Sequence, residues 1–185
     1  MMRDPDVVRI LAISGSLRRA SSNSALVNAA CRVAPVGVEV STYTGLAGIP
    51  PFNPDVDAIE APGAVSRFRA ALDACDAVLI CSPEYAHGVS GVLKNALDWV
   101  VGSGELIDKP IAVINASARA THADAALRET LTTMSARVSE SASVTIPLEG
   151  SGRDANGIVE DPLLSQLLQA SVAALAQVVR AGAAR

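Results

Sequence analysis

Apolar and polar positions switch repeatedly between a strand-like and a helix-like period along the chain. Val7 to Ser14 is a short run rich in Val and Ile, ended by Gly15, and predicts a strand buried on both faces. From Asn23 to Ala34, Leu26, Ala29, Ala30 and Val33 recur at helical spacing, with Ser22 or Asn23 placed to cap the helix and Pro35 to stop it. Val38 to Thr42 reads as a second strand. The stretch from Tyr43 to Gly63 carries Pro50, Pro51, Pro54 and Pro62 and reads as a long surface connection.

The alternation then continues. Val65, Phe68 and Leu72 predict a second helix, Ala77 to Cys81 a third strand, and Leu93, Ala96, Leu97 and Val100 a third helix. Ile111 to Ala116 predicts strand four, Leu127, Leu131, Met134 and Val138 helix four, and Val144 to Leu148 strand five. Leu164, Leu167, Leu168, Val172, Leu175 and Val179 predict the closing helix. Five strands alternating with five helices call for right-handed crossovers and a parallel sheet covered on both sides, the doubly wound α/β class. Ligands in such sheets sit beyond the carboxyl ends of the strands, which directs attention to the loops after strands one, three and four.

The 185 residues suit one domain spanning 1–185, and 50% hydrophobic with only 3% aromatic residues implies a core of Ala, Val, Leu and Ile. A net charge of −4 with so few aromatics argues against nucleic acid as a partner. Cys31, Cys75 and Cys81 lack metal or redox spacing and lie in apolar runs, so they read as free core thiols. No metal-ligand cluster is visible. No unbroken apolar stretch reaches the ~18 residues of a membrane span. The acidic start lacks a secretory pattern, and a cytoplasmic protein is expected.

The first loop, Gly15 to Asn23, joins a buried strand to a helix start, where free N–H groups and the helix dipole favour an anion. Arg18 with Ser16, Ser21 and Asn23 would suit a phosphomonoester. The other reading is a Ser-rich loop ending in an ordinary cap, its arginines solvated. Neither the P-loop nor the dinucleotide fingerprint is present. The loop after strand three, Ser82 to Gly91, offers backbone amides, the flat face of Tyr85 and the imidazole of His87, which suits a planar heterocycle. Here too a plain reading stands: Tyr85 packed on a helix, Glu84 solvated or capping, His87 incidental, Lys94 solvated, and Trp99 in the core or at a subunit contact with Val100 and Val101.

These two loops together resemble the NADPH-dependent FMN reductase family, which includes quinone, azo and chromate reductases of flavodoxin-like fold. The family pattern G-S-L-R-x-x-S-x-N falls on Gly15, Ser16, Leu17, Arg18, Ser21 and Asn23. The pattern P-E-Y-N-x-x-x-P-G-x-L-K-N-A-[LI]-D-W falls on Pro83 through Trp99. The resemblance implies a three-layer sandwich around a five-stranded parallel sheet of order 2-1-3-4-5. It further implies non-covalent FMN, its phosphate held by Ser16, Arg18, Ser21 and Asn23 and its ring by Pro83, Glu84, Tyr85, the backbone of Ala86, and Ser117. Electrons would pass from NADPH or NADH to a small acceptor such as a quinone, azo dye, free flavin or metal oxyanion. The flavin then carries the chemistry, and no catalytic side chain is required. A homodimer or homotetramer is implied as well.

The chain departs from the pattern in three places. Ala86 stands for the usual Asn, Ser90 for the usual Pro, and Ser117-Ala118-Arg119-Ala120-Thr121-His122 for a glycine-rich loop. Arg119 and His122 are placed either to meet an anionic substrate or the 2′-phosphate of NADPH, or to sit solvated at a helix start. An electron carrier or flavin sensor without fast nicotinamide oxidation is the competing function.

Overall fold

The computed structural model describes residues 6–183. In chain order the elements are β1 (Val8–Ser14), α1 (Ser22–Val33), β2 (Val38–Tyr43), α2 (Pro54–Asp57), α3 (Gly63–Ala74) and β3 (Ala77–Cys81). A hairpin of β4 (Glu84–Tyr85) and β5 (Gly88–Val89) follows, then α4 (Gly91–Asp98), β6 (Pro110–Asn115) and α5 (Thr121–Thr133). The chain closes with β7 (Arg137–Val138), β8 (Val144–Thr145), α6 (Ala155–Val159) and α7 (Pro162–Ala183).

The main sheet is parallel and runs β2-β1-β3-β6, with β7 and β8 sharing the fifth position. This is the expected doubly wound, flavodoxin-like order with its last strand broken in two. β7 pairs with Pro110 and Ile111, β8 with Ile114 and Asn115. Between them the chain leaves the ladder, and the Val113 N–H donates instead to Ser143 Oγ at 3.0 Å. A central backbone donor is thus satisfied by a side chain. Beyond β8 the ladder resumes, Ile146 N–H reaching Asn115 O at 2.8 Å and Leu148 N–H reaching Ala116 O at 3.0 Å.

The fourth predicted helix is shorter than its apolar spacing suggests. Ser135 turns left-handed at φ 60°. Ala136 N–H then bonds Leu131 O at 3.0 Å and Ser135 N–H bonds Thr132 O at 2.9 Å, a Schellman end that stops α5 and sends Val138 into β7.

Strict alternation along the strands divides the core into two layers. Leu11, Ile13, Val78, Ile80, Ile111 and Val113 face α3, α4 and α5, where Phe68, Leu72, Leu97 and Trp99 are buried. Ile10, Ala12, Leu79, Cys81, Ala112 and Ile114 face the other way, onto Leu26, Ala29 and Ala30 of α1 and Val172 and Leu175 of α7. Three layers result. Trp99 belongs to the core: it is 1% exposed, its indole N–H donates to Pro50 O at 2.8 Å, and Phe52 meets it edge-on. Val100 is buried too, leaving only Val101 of that expected contact exposed. The proline-rich connection is therefore pinned to α4, with Phe52 N–H also donating to Asn95 Oδ1 at 2.8 Å.

Although no unbroken apolar run suggested one, α7 is by length and composition apolar enough to cross a bilayer. Its Leu168, Val172, Leu175 and Ala176 are nonetheless buried in the core. The three cysteines are free, Cys75 and Cys81 buried and Cys31 half-buried.

Candidate functional site

The first loop is shaped by its own side chains. Ser14 Oγ accepts the Ser16 N–H, Ser16 Oγ accepts the Arg18 N–H and Ser21 Oγ accepts the Ser24 N–H, each at 3.3 Å. Ser21, one residue before Ser22 and two before Asn23, the expected caps, is therefore the cap of α1. The N–H groups of Ser22 and Asn23 find no acceptor among the described residues and point outward from the helix start. Gly15 is required by close approach: a Cβ there would lie 2.9 Å from Ser90 Oγ and 3.0 Å from Ser82 Oγ.

Asn23 is oriented from below. The thiol of Cys81, wholly buried at the end of β3, donates to Asn23 Oδ1 at 3.2 Å, which leaves the amide NH2 free. Burial pushes the Cys81 thiol well above its ordinary range, so it stays protonated and keeps this bond.

The loop after β3 is a hairpin whose two-residue turn, Ala86 at φ 50° and His87 at φ 58°, is left-handed at both positions. Asn, the usual residue at the first position, adopts that conformation readily, whereas Ala86 does so at a cost in backbone strain. Two contacts with α5 hold the turn. Glu84 Oε2 accepts the Ala123 N–H at 2.8 Å, capping α5, and the His87 ring stacks on His122 with centroids 4.2 Å apart and 17° between planes. Tyr85 projects from the hairpin with 52% of its surface exposed.

A third loop completes the site. Asn115 Oδ1 accepts the Ser117 N–H at 3.0 Å while its amide donates to Ala120 O at 3.1 Å. The Ser117 hydroxyl donates to Glu149, and Arg119 lies 4.0 Å from the same carboxylate. That carboxyl is held below its ordinary range, first by the Ser117 hydroxyl, then by its own backbone N–H, with Arg119 adding less.

Together these groups line a cavity of about 450 Å³ at the carboxyl ends of β1, β3 and β6. Arg18, Asn23, Pro83, Glu84 and Ser117 line it, as expected; Ser16, Ser21, Tyr85 and Ala86 do not. Ser16 and Ser21 brace the loop from behind, and Tyr85 and Ala86 sit on the exposed hairpin. Asn115 and Glu149 line the cavity without having been anticipated. Asn115 lies inside the predicted fourth strand and ends β6 in the structure, whereas Glu149 arrives from beyond β8 with no local motif to mark it. Lys94 pairs with Asp98 along α4, as a solvated helix residue does. The cavity thus gathers Arg18 and Asn23 from the first loop and the start of α1, the carboxylates of Glu84 and Glu149, and the Arg119 guanidinium beside Glu149.

The family model described as NADPH-dependent FMN reductase matches residues 8–150. An NAD(P)H-dependent FMN reductase of Pseudomonas aeruginosa is 37% identical over 180 residues, covering 95% of this chain and 97% of that protein. The quinone reductase of Escherichia coli strain K12 is 34% identical over 106 residues, 57% of this chain and 55% of its own. Among solved structures, the Paracoccus denitrificans flavoenzyme FerB, an NAD(P)H:(acceptor) oxidoreductase, superposes with a TM-score of 0.76 at 28% identity, covering 94% of this chain and 98% of its own. Motif, topology and cavity agree with these matches along nearly the whole length, and the chain belongs to the NADPH-dependent FMN reductase family.

Proposed function

We propose that this chain is an FMN-dependent NAD(P)H oxidoreductase that moves electrons from a nicotinamide to a small acceptor such as a quinone, azo compound, free flavin or metal oxyanion. The observation that carries this reading is the convergence of the two family loops on one cavity.

The donor set fits FMN. Arg18, the Ser22 and Asn23 N–H groups and the freed amide of Asn23 offer a phosphomonoester charge-assisted and helix-terminal bonds. Ser16 and Ser21 act on that end by fixing the loop. Pro83, Glu84 and Ser117 would wall the ring, and Tyr85 and Ala86, on the exposed hairpin next to Glu84, would reach it only from outside the cavity lining. FMN supplies the redox chemistry when bound, and the protein supplies binding, orientation and exclusion of water. The carboxylates of Glu84 and Glu149 are held by Ala123 and Ser117, so they face the cavity as fixed acceptors rather than mobile bases.

A cytoplasmic homodimer or homotetramer completes the proposal, in keeping with exposed apolar side chains such as Val101 and Ile107. The test is a visible spectrum after FMN loading and removal of excess, followed by anaerobic NADPH and NADH. Retained flavin bands that bleach with either nicotinamide support the oxidoreductase. Retained bands that stay oxidised point to an electron carrier or sensor, and no retained flavin rejects FMN binding. Solution size measurement reports the assembly.

A further inference from the structure

A second cavity, of about 310 Å³, lies against the first turns of α1, between Arg19 and Asn28 on one side and Arg153, Asp154 and Asn156 on the other. It shares a wall with the central cavity. Ser22 lines both, and its neighbours are divided between them: Arg18 and Asn23 line the central cavity, Arg19 and Ser24 the second. Arg18 and Arg19, like Asn23 and Ser24, are one peptide apart, about 3.8 Å between Cα atoms. The two cavities therefore meet at the start of α1, where the free N–H groups of Ser22 and Asn23 point outward. The wall formed by Gly152 to Asn156 lies beyond the 8–150 stretch matched by the family model.

The free hydrogen-bonding groups of the second cavity are mostly donors, with one carboxylate oxygen among them. Asn28 Oδ1 takes the Thr42 hydroxyl at 3.4 Å and Asn156 Oδ1 takes an N–H of Arg32, so both carboxamides keep their NH2 groups. Arg19 makes no hydrogen bond or ion pair among the described residues. Arg153 spends Nη1 on Gly157 O at 3.1 Å and Asp161 at 3.0 Å, which leaves Nε and Nη2. Asp154 gives Oδ1 to the Gly157 N–H at 2.9 Å and keeps Oδ2. A small anion alone would leave that oxygen as a repulsion. A nucleoside monophosphate uses the whole set: its phosphate takes a guanidinium, the ring nitrogens of its base accept from carboxamide or guanidinium N–H groups, and a ribose hydroxyl donates to the carboxylate.

We infer that this cavity seats the AMP half of FAD, so that the protein takes the flavin dinucleotide as well as FMN. The inference rests on the flavin reading above, which puts the flavin phosphate at the start of α1. A second phosphate joined to the first leaves the central cavity there, past Ser22, and meets Arg19 as the first meets Arg18. Flavin and nucleotide are then parts of one ligand, and nothing else has to pass the place that the flavin phosphate fills.

The test uses the full chain freed of flavin and titrated with FMN and with FAD, followed by flavin fluorescence. FAD is expected to bind at least as tightly as FMN. After dialysis against an equimolar mixture, FAD is expected to make up at least half of the retained flavin, as identified by chromatography. Arg19→Gln is expected to weaken FAD binding by about tenfold and Asn28→Ala by about fivefold, each leaving FMN affinity within about twofold. Both side chains are exposed, so neither substitution opens the core. Weaker binding of FAD than of FMN would overturn the inference while leaving the flavin reading in place. Equal losses for the two flavins in Arg19→Gln would do the same, by returning that arginine to the FMN phosphate. Binding of neither flavin would overturn the flavin reading and this inference with it.

Discussion

The loops after β1 and β3 face each other across the central cavity and hold their shapes in opposite ways. The first is tied by serine hydroxyls to backbone N–H groups two or three residues away, and it needs no left-handed residue. The second places Ala86 and His87 in left-handed conformations and is held from outside by α5, through Ala123 and His122. A loop encoded locally keeps its sequence pattern intact, whereas one held by tertiary contacts tolerates substitution. The departures Ala86 and Ser90 both fall in the second.

The largest effect should come where the two loops touch. Gly15→Ala drives a Cβ against Ser90 Oγ and Ser82 Oγ and is expected to cost about 1–3 kcal/mol in chemical denaturation. Ser90 Oγ is buried without a partner, so Ser90→Ala should be near neutral alone and recover part of the loss in the double variant. Strict additivity would break the idea that the loops are wedged together there.

Next in size, Arg18→Ala should weaken FMN binding at least tenfold, about 1.4 kcal/mol, as read by fluorescence titration. An unchanged affinity would remove the phosphate from the first loop. Ala86→Gly should then raise stability by about 1 kcal/mol, seen as a higher Tm, because glycine adopts the left-handed turn without strain. A neutral result would mean that the hairpin relaxes in solution.

The smallest effect tests the third loop as a reference for the other two. Glu149 has its carboxyl pKa lowered chiefly by the Ser117 hydroxyl. The stabilisation linked to it is therefore present above the ordinary carboxylate range and disappears as the pH falls through the lowered value. In Ser117→Ala the carboxyl should titrate closer to its ordinary value, measurable by carbon-13 NMR of the Glu side chains. No change would assign the shift to the backbone N–H or Arg119 instead.

Much of the architecture was legible because its causes are local. Periodicity placed β1, α1, β3, α4 and β6, and the loop motifs placed Arg18, Asn23, Pro83, Glu84 and Ser117 on one cavity. The misreadings share a different origin. Val138 continued the helical spacing of α5, but a left-handed Ser135 ended the helix first. Strand five was expected only from Val144 onward, yet the fifth position of the sheet begins earlier, at β7, and Ser143 fills the ladder gap between β7 and β8.

The sequence by itself thus determined the doubly wound class through its periods and, through two contiguous motifs, the family resemblance that implied the strand order and directed attention to the loops after β1 and β3. Only the tertiary structure decided that Glu84 caps a helix 39 residues away, that Cys81 turns the Asn23 amide, that Glu149 enters the cavity, and that Asn28 and Asn156 surrender their oxygens. The physical reason is range. A hydrogen bond between distant segments leaves no period along the chain, and which atoms of a polar side chain stay free is set only once its other atoms have found their partners.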